Sequence, residues 1–197
     1  MIERLFSIPV YIGRVVNKDA IDEELSKSDL SVGVRPQIEE WNCDCKSTFR
    51  SEDAAENWKG VFYDAIHPNI SEYLDSCGPM YSYEYQHVSS WINFYDQGDF
   101  QEMHTHQNRS VSFSYSYYHK EPKDWKNASQ FKFKSPIENL ILNQMEFSAF
   151  HSGFTPNIGE GDLLIFPSWL YHMVTKHKTN ERRITISGNI SVTAVEN

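Results

Sequence analysis

Residues 91–106 read WINFYDQGDFQEMHTH, and the two histidines that close this stretch, His104 and His106, are the strongest chemical signal in the chain. If the stretch is extended around them, side chains two residues apart point to the same side of the backbone. Both imidazoles then face one space and can bind one metal ion. Glu102 shares that face if the alternation holds. The stretch therefore predicts a strand that carries metal ligands on one face.

A third metal ligand has to come from another part of the chain. The best candidate is His172, which ends the segment FPSWLYH at residues 166–172 and follows the apolar run Gly161–Phe166. We expect this run to be a strand that brings His172 towards the histidine pair.

A candidate anion site follows at Arg183-Ile184-Thr185, which begins eleven residues after His172. In a strand, Arg183 and Thr185 would point inward together. The guanidinium is a fixed fork of donors that matches both oxygens of a carboxylate, and the threonine hydroxyl adds one donor beside it. A metal site together with a carboxylate anchor is the outline of a cofactor site.

These segments resemble the iron(II)- and 2-oxoglutarate-dependent oxygenases. The resemblance covers roughly residues 80–190 and looks closest to a small single-domain branch known from marine bacteria and their phages. It rests on WINFY at 91–95, Gly98, His104-Thr-His106, FPSWLYH at 166–172 and RITISGN at 183–189. It implies a double-stranded β-helix, the jelly-roll or cupin-like core. It also implies Fe(II) as cofactor, with 2-oxoglutarate and O2 as cosubstrates.

The resemblance also implies roles for individual residues in cosubstrate binding. The far carboxylate of 2-oxoglutarate would pair with Arg183, aided by Thr185, and Asn93 or Tyr95 would donate further hydrogen bonds. If Arg183 faces inward, an anion or an acidic side chain has to compensate its charge, because a buried arginine without a partner is costly.

One position departs from the usual pattern of these oxygenases. Most members have a carboxylate two residues after the first histidine, which completes a facial triad of two histidines and one carboxylate. This chain has His106 there. Either the site consists of three imidazoles or a carboxylate such as Glu102 completes it. We favour His104, His106 and His172, with Glu102 as the fallback ligand.

The activity implied by the resemblance is that of a dioxygenase. It would couple decarboxylation of 2-oxoglutarate to succinate with hydroxylation of an unactivated C–H bond, in a protein side chain such as proline or in a small molecule. One alternative is a three-histidine, cupin-like metalloenzyme that does not use 2-oxoglutarate, in which Arg183 anchors the substrate's own carboxylate. The other is a non-catalytic jelly-roll binding module.

Composition limits the classes of protein to consider. The chain has 197 residues and is 40% hydrophobic and 14% aromatic, which favours one β-rich globular domain. Its net charge of −9 opposes binding to phosphate backbones, so nucleic acid is an unlikely partner. The sequence lacks a signal peptide and an apolar run of ~18 residues, so we expect a cytoplasmic protein without a membrane span. The oligomeric state stays open.

Periodicity predicts a mainly β chain with flanking helices, forming one oxygenase domain over residues 1–197. Residues 1–80 would supply an N-terminal strand at 4–16, broken at Pro9, and two buttressing helices. The first would span 19–30, capped by Asn17, and the second would run from Ser51 to Cys77, with Pro68 either kinking it or dividing it in two. Residues 81–195 would form the double-stranded β-helix core. Its predicted strands lie near 81–86, 110–117, 130–134, 146–151, 163–166, 171–176 and 183–192.

Overall fold

The computed structural model describes residues 7–28, 44–49, 57–107, 110–124, 127–136 and 152–195. Within these ranges the chain forms two helices, α1 (Lys18–Ser26) and α2 (Lys59–Ser76). The same ranges contain the strands β1 (Tyr11–Arg14), β2 (Lys46–Ser47), β3 (Tyr83–Tyr95), β4 (Gln101–His104), β5 (Phe113–Lys120), β6 (Phe131–Lys134), β7 (Gly153–Phe154), β8 (Asp162–Pro167), β9 (His172–Val174) and β10 (Arg183–Ala194).

The described strands form two antiparallel sheets. The larger sheet has the strand order β1-β8-β5-β10-β3-β2, and the smaller sheet has the order β4-β9-β6-β7. This is the predicted fold class, a mainly β chain with flanking helices and a double-stranded β-helix core. The functional site described below lies between the two sheets.

Helix α2 covers the outer face of the larger sheet. Its apolar residues recur at helical spacing, and Phe62, Ile66 and Ile70 are almost fully buried against sheet residues such as Tyr115 and Ile186. Pro68 lies inside one continuous helix, so it does not divide the segment in two. The prediction of a core-facing helix from this apolar spacing is confirmed.

Both helices differ from the predicted bounds. Helix α2 begins at Lys59, with Trp58 in the N-cap position, and Ser51 lies outside the described residues. Helix α1 does follow Asn17, but the asparagine side chain makes no capping hydrogen bond. It ends at Ser26 because the next two backbone N–H groups donate to carbonyls three residues back, which tightens the last turn.

The N-terminal strand is shorter than predicted, and it lies at the edge of the larger sheet. It comprises Tyr11–Arg14 and pairs with β8. An edge position next to Pro9 fits a residue that has no N–H to donate to a ladder. The strand predicted at 146–151 lies outside the described residues. Neither described helix is long and apolar enough to cross a membrane.

Strand register brings the candidate site residues together. In the larger sheet β10 pairs with β3, so that Arg183 lies opposite Tyr95 and Thr185 lies opposite Asn93. In the smaller sheet β9 pairs with β4, and His172 lies opposite His104. Residues far apart in sequence therefore meet through the pairing of neighbouring strands.

Candidate metal centre

His104, His106 and His172 form one cluster, in which one ring nitrogen of each lies within 4.8 Å of the others. The ring centroids of His104 and His172 are 4.3 Å apart, and those of His106 and His172 are 5.0 Å apart. Strand β4 ends at His104, but His106 is held beside it because the backbone N–H of His106 donates to the carbonyl of Ser168. The three histidines predicted as ligands are therefore brought together.

An oxygen atom that can accept a hydrogen bond lies next to Nδ1 of each of the three imidazoles. His104 Nδ1 lies 2.7 Å from the carbonyl of Glu102, and His172 Nδ1 lies 2.9 Å from the carbonyl of Leu170. His106 Nδ1 lies 2.8 Å from Oδ1 of Asn189. A proton on Nδ1 satisfies these acceptors and leaves the lone pair on Nε2, which is the arrangement typical of metal-binding histidines.

Burial keeps the three rings uncharged. It lowers the pKa of His106 to about 4, with His104 adding a repulsive contribution. Burial also lowers the pKa of His104, and it lowers the pKa of His172 well below its ordinary value. At neutral pH the cluster is a set of neutral imidazoles, which is the protonation state that binds a metal.

Hydrogen bonds and aromatic contacts fix the ring orientations. Asn189 Nδ2 donates to Ser89, so its Oδ1 faces His106, and the hydroxyl of Ser114 donates to the same oxygen over 2.8 Å. The ring of Phe131 is stacked on His172, with centroids 5.1 Å apart and planes 9° from parallel. These contacts reduce the freedom of the ligands before a metal arrives.

Glu102, the fallback ligand, lines the same cavity as the three histidines. Among the described residues, however, the cluster of metal-binding groups contains the three histidines and not this carboxylate. Glu102 instead contributes its backbone carbonyl, which orients His104. The geometry therefore favours three imidazoles as the protein ligands.

The metal cluster and the predicted anion anchor face one cavity of about 500 Å³. All the candidate cofactor-binding residues, Asn93, Tyr95, Arg183 and Thr185, line it together with the histidines. Apolar side chains complete the wall between them, among them Phe131, Phe166 and Val174. A volume of this size holds a small organic acid, with space left for part of a second molecule.

Arg183 lines this cavity and is buried, with 3% of its surface exposed. Its Nε donates to Oε1 of Glu121 over 2.6 Å, and its Nη1 donates to the carbonyl and the hydroxyl of Ser129. Its Nη2 makes no hydrogen bond within the described ranges. The guanidinium also lies over the ring of Tyr118, 4.8 Å from the centroid. The acidic side chain that a buried Arg183 requires is therefore Glu121.

Thr185 and Asn93 are both buried beside Arg183, with 3% and 1% of their surface exposed. Nδ2 of Asn93 lies 3.5 Å from Oγ1 of Thr185 and 3.1 Å from Oγ of Ser187. Oδ1 of Asn93 accepts a hydrogen bond from Ser47. Asn93 is thus held by its neighbours and fixes the surface that Thr185 presents to the cavity.

Three further residues, Tyr118, Glu121 and Ser129, belong to the site but were not among the predicted site residues. The phenol of Tyr118 lines the cavity, and within the described part of the chain its buried hydroxyl makes no hydrogen bond of ordinary geometry, although Ser116 and Arg183 lie near it. Burial raises the pKa of Tyr118, so the phenol stays a hydrogen-bond donor. Burial also raises the pKa of Glu121, while Arg183 opposes that shift.

A sequence signal existed for Tyr118. Ser116, two residues before it in β5, lines the cavity, and Ser114, two residues earlier again, contacts His106, whereas Tyr117 belongs to the core under α2. Alternation along β5 therefore predicts that Tyr118 faces the cavity. No comparable local pattern indicated Glu121 or Ser129.

The residues of the cavity fit both groups that the sequence resemblance implies. Three neutral imidazoles with fixed Nδ1 protons suit a divalent iron ion and leave coordination positions for other ligands. Nη2 of Arg183 and the hydroxyl of Tyr118 are donors that suit a carboxylate. The residues of the cavity would therefore hold a divalent metal ion and, beside it, a small carboxylic acid.

Comparison with known families identifies a match over residues 89–189, to the family described as "Putative 2OG-Fe(II) oxygenase". The matched range contains the whole three-histidine cluster, Arg183 and Thr185. No curated protein sequence matches significantly.

Solved structures with a similar fold include several oxygenases. A prolyl-4-hydroxylase of Pseudomonas putida has a TM-score of 0.57 and 14% identity, over 95% of this chain and 94% of that one. A Trichoplax adhaerens prolyl hydroxylase, in complex with a fragment of hypoxia inducible factor, has a TM-score of 0.64 and 13% identity, over 95% and 85%. HygX of Streptomyces hygroscopicus, with nickel and 2-oxoglutarate bound, has a TM-score of 0.57 and 11% identity, over 93% and 83%. At these identities the similarity concerns the fold.

Proposed function

Because the chain belongs to the 2OG-Fe(II) oxygenase family, we propose that it hydroxylates an unactivated C–H bond of a protein side chain or a small molecule. Fe(II) is the cofactor of this family, and 2-oxoglutarate and O2 are its cosubstrates. The observation that carries the proposal is the meeting of the three-histidine cluster and Arg183 in one cavity.

In this proposal His104, His106 and His172 hold the iron through Nε2. Their Nδ1–H groups continue to donate to the carbonyl oxygens already described, so that each ring keeps its orientation when the metal binds. The bound iron supplies the redox chemistry that couples consumption of O2 and 2-oxoglutarate to substrate oxidation. The protein supplies the positions of the reacting groups and a partly apolar surrounding.

Arg183 binds the far carboxylate of 2-oxoglutarate with its Nη2, and the hydroxyls of Thr185 and Tyr118 donate beside it. These groups are fixed before the cosubstrate binds, because Arg183 is held by Glu121 and Ser129, and Thr185 by Asn93. Tyr95 lies opposite Arg183 in the strand pairing, and the centroid of its ring is 5.8 Å from the guanidinium carbon. Tyr95 thus acts as a wall of the anchor.

Proline in a peptide is the first substrate to test. The P. putida and T. adhaerens proteins with this fold are prolyl hydroxylases, and the second is in complex with a peptide. Among the residues that line the cavity, Trp91 and Phe49 pack against each other with ring centroids 4.8 Å apart, and Met103 has 37% of its surface exposed. Such apolar lining residues suit a ring or an aliphatic side chain.

We propose residues 1–197 as a single catalytic domain.

Succinate production tests the proposed function. Purified protein is incubated with Fe(II), ascorbate, O2 and 2-oxoglutarate, with and without proline-containing peptides, and succinate is quantified. We expect succinate that requires both iron and O2, rises with a substrate and is abolished in His172→Ala. A protein that binds iron but forms no succinate above the His172→Ala background with any peptide or small-molecule pool would contradict the proposal.

A further inference from the structure

The anchor for the far carboxylate already contains a negative charge. The carboxylate of Glu121 receives a 2.6 Å hydrogen bond from Arg183 Nε, and the side chains of Arg183 and Glu121 are only 4% and 12% exposed. The two residues are 62 positions apart, and the contact joins the end of β5 to the start of β10. The pair is internal to the protein and only weakly screened by solvent.

We propose that Glu121 is the resident counter-ion of Arg183 and that its charge lowers the affinity of the cavity for 2-oxoglutarate. The inference rests on the proposed function, since it requires that Arg183 binds the far carboxylate. Glu121 would thereby set the cosubstrate concentration at which the enzyme becomes saturated.

The guanidinium of Arg183 is held at two of its three nitrogens. Glu121 accepts from Nε and Ser129 accepts from Nη1, so among the described residues Nη2 is the nitrogen left to bind an anion from the cavity. An incoming carboxylate on Nη2 is separated from the Glu121 carboxylate by little more than the width of one guanidinium. Like charges about 7 Å apart in a site of effective dielectric about 20 weaken binding roughly 10- to 100-fold.

Glu121 nevertheless has a reason to be present. A buried arginine without a partner is strongly destabilising, and the cavity provides its own anion only when cosubstrate is bound. Glu121 therefore stabilises the protein in the absence of 2-oxoglutarate. The same charge repels the far carboxylate of the cosubstrate. Glu121 therefore raises the stability of the free protein and lowers its affinity for 2-oxoglutarate.

The substitution Glu121→Gln separates charge from positioning. Glutamine has nearly the same shape, and its Oε1 still accepts the hydrogen bond from Arg183 Nε. Ser129 continues to hold Nη1. If Glu121 acted only by orienting the guanidinium, the variant would bind 2-oxoglutarate as well as the wild type or less well. If the charge matters, it binds more tightly.

The test is calorimetric titration without O2 of protein loaded with Mn(II). The two probes are 2-oxoglutarate and 2-oxopentanoate, which has the same keto acid head but lacks the far carboxylate. We expect Glu121→Gln to lower the Kd for 2-oxoglutarate by about 10-fold or more and to leave the Kd for 2-oxopentanoate within about 2-fold. Glu160→Gln is the matched control, because Glu160 is an exposed neighbour that pairs with Lys18 instead of Arg183.

The outcomes distinguish this inference from the proposed function. A wild type that does not prefer 2-oxoglutarate over 2-oxopentanoate contradicts the anchor itself, and with it both proposals. A wild type with that preference, together with a Glu121→Gln variant whose Kd for 2-oxoglutarate is unchanged or higher, overturns only the role of Glu121.

A second measurement covers the case in which the variant is too unstable to titrate. Glu121→Gln should unfold at a lower temperature than the wild type, and Mn(II) with 2-oxoglutarate should restore much of that loss. Mn(II) with 2-oxopentanoate should not, because this probe brings no far carboxylate to Arg183. Equal recovery with both probes would overturn the inference.

Discussion

His172 lies directly opposite His104 in the ladder that joins β9 to β4, and the centroids of the two rings are 4.3 Å apart. The candidate metal centre is therefore a cross-strand feature, and its geometry depends on the register of the smaller sheet. A slip of one residue would turn His172 to the opposite face of the sheet and remove it from the cluster. Metal binding and correct sheet pairing should consequently stabilise each other.

Arg183→Ala should greatly weaken 2-oxoglutarate binding and leave metal affinity close to normal. Truncating one partner of a buried charge pair costs about 2–5 kcal/mol, which corresponds to roughly a 30- to 5000-fold increase in Kd. The measurement is titration of the Mn(II)-loaded protein with 2-oxoglutarate, after metal content has been determined.

Arg182→Ala is the matched control for that substitution. Arg182 is the neighbouring residue, but its side chain is 46% exposed and pairs with Asp96 on the surface. A surface ion pair of this kind contributes at most about 1 kcal/mol to stability, and it does not touch the cavity. If Arg183→Ala binds 2-oxoglutarate as tightly as Arg182→Ala, another residue must anchor the cosubstrate.

Asn189→Ala should lower metal affinity by about 10- to 100-fold, because His106 loses the acceptor that fixes its Nδ1 proton. Asn189→Asp keeps an oxygen at this position and should retain most of the affinity. Competition with a chelating metal indicator measures both variants. Equal affinities for the alanine variant and the wild type would mean that Ser114, 3.0 Å from the same nitrogen, orients His106 by itself.

Glu102→Gln tests whether a carboxylate belongs to the metal centre. The three-histidine arrangement predicts an affinity for Fe(II) within about 2-fold of the wild type, because the carboxylate of Glu102 is not a metal ligand in that arrangement. His106→Gln, by contrast, should reduce it far more. A large loss in Glu102→Gln would place the carboxylate among the ligands.

The sequence predicted which side chains come together in the cavity, namely the three histidines, Arg183 and Thr185. His104 and His106 have the spacing that puts alternating side chains on one face, and Arg183 and Thr185 have the same spacing in β10. The double-stranded β-helix was predicted in the same way, from the period-two pattern of short strands and from the resemblance. The spacing within each of these pairs is local, and so a single sequence can reveal it, whereas the choice of His172 as third ligand depended mainly on the resemblance.

Features that depend on contacts between distant segments were not predictable in this way. Glu121 lies just beyond β5 in a polar segment that resembles an ordinary loop, and only the fold brings it to Arg183. Helix α2 begins at Lys59, whereas Ser51, which with two following acids has the composition of a helix cap, lies outside the described residues. Cap composition indicates that a helix is near but fixes its first residue poorly.

Stability should fall in mildly acidic solution partly because of His87. Its ring is stacked on Tyr63, with centroids 3.7 Å apart, and burial lowers its pKa to about 4 from the ordinary 6.5, with a further contribution from His67. The unfolded chain therefore binds a proton more readily than the folded protein between pH 6.5 and 4. The contribution that neutral His87 makes to the free energy of unfolding is fully present above pH 6.5 and is lost as the pH falls towards 4.

Urea unfolding of the metal-free wild type and of His87→Gln at pH 7.5 and pH 5 measures this effect. Because the ring is only partly buried, solvent screening reduces the expected contribution to about 1 kcal/mol. The wild type should lose about that much more free energy of unfolding than His87→Gln between the two pH values. An equal loss in both proteins would show that His87 is not responsible.

The most direct test of the account is thermal unfolding without O2 of the protein alone, with Fe(II), and with Fe(II) plus 2-oxoglutarate. A ligand at about one hundred times its Kd stabilises the fold by ~2.7 kcal/mol, which corresponds to a rise of roughly 5–10 °C in Tm at this chain length. We predict one rise with Fe(II) and a second with 2-oxoglutarate that occurs only when metal is present. A metal-dependent rise without the second would contradict the role of 2-oxoglutarate and favour a three-histidine enzyme of the cupin type, and no rise at all would contradict the metal centre.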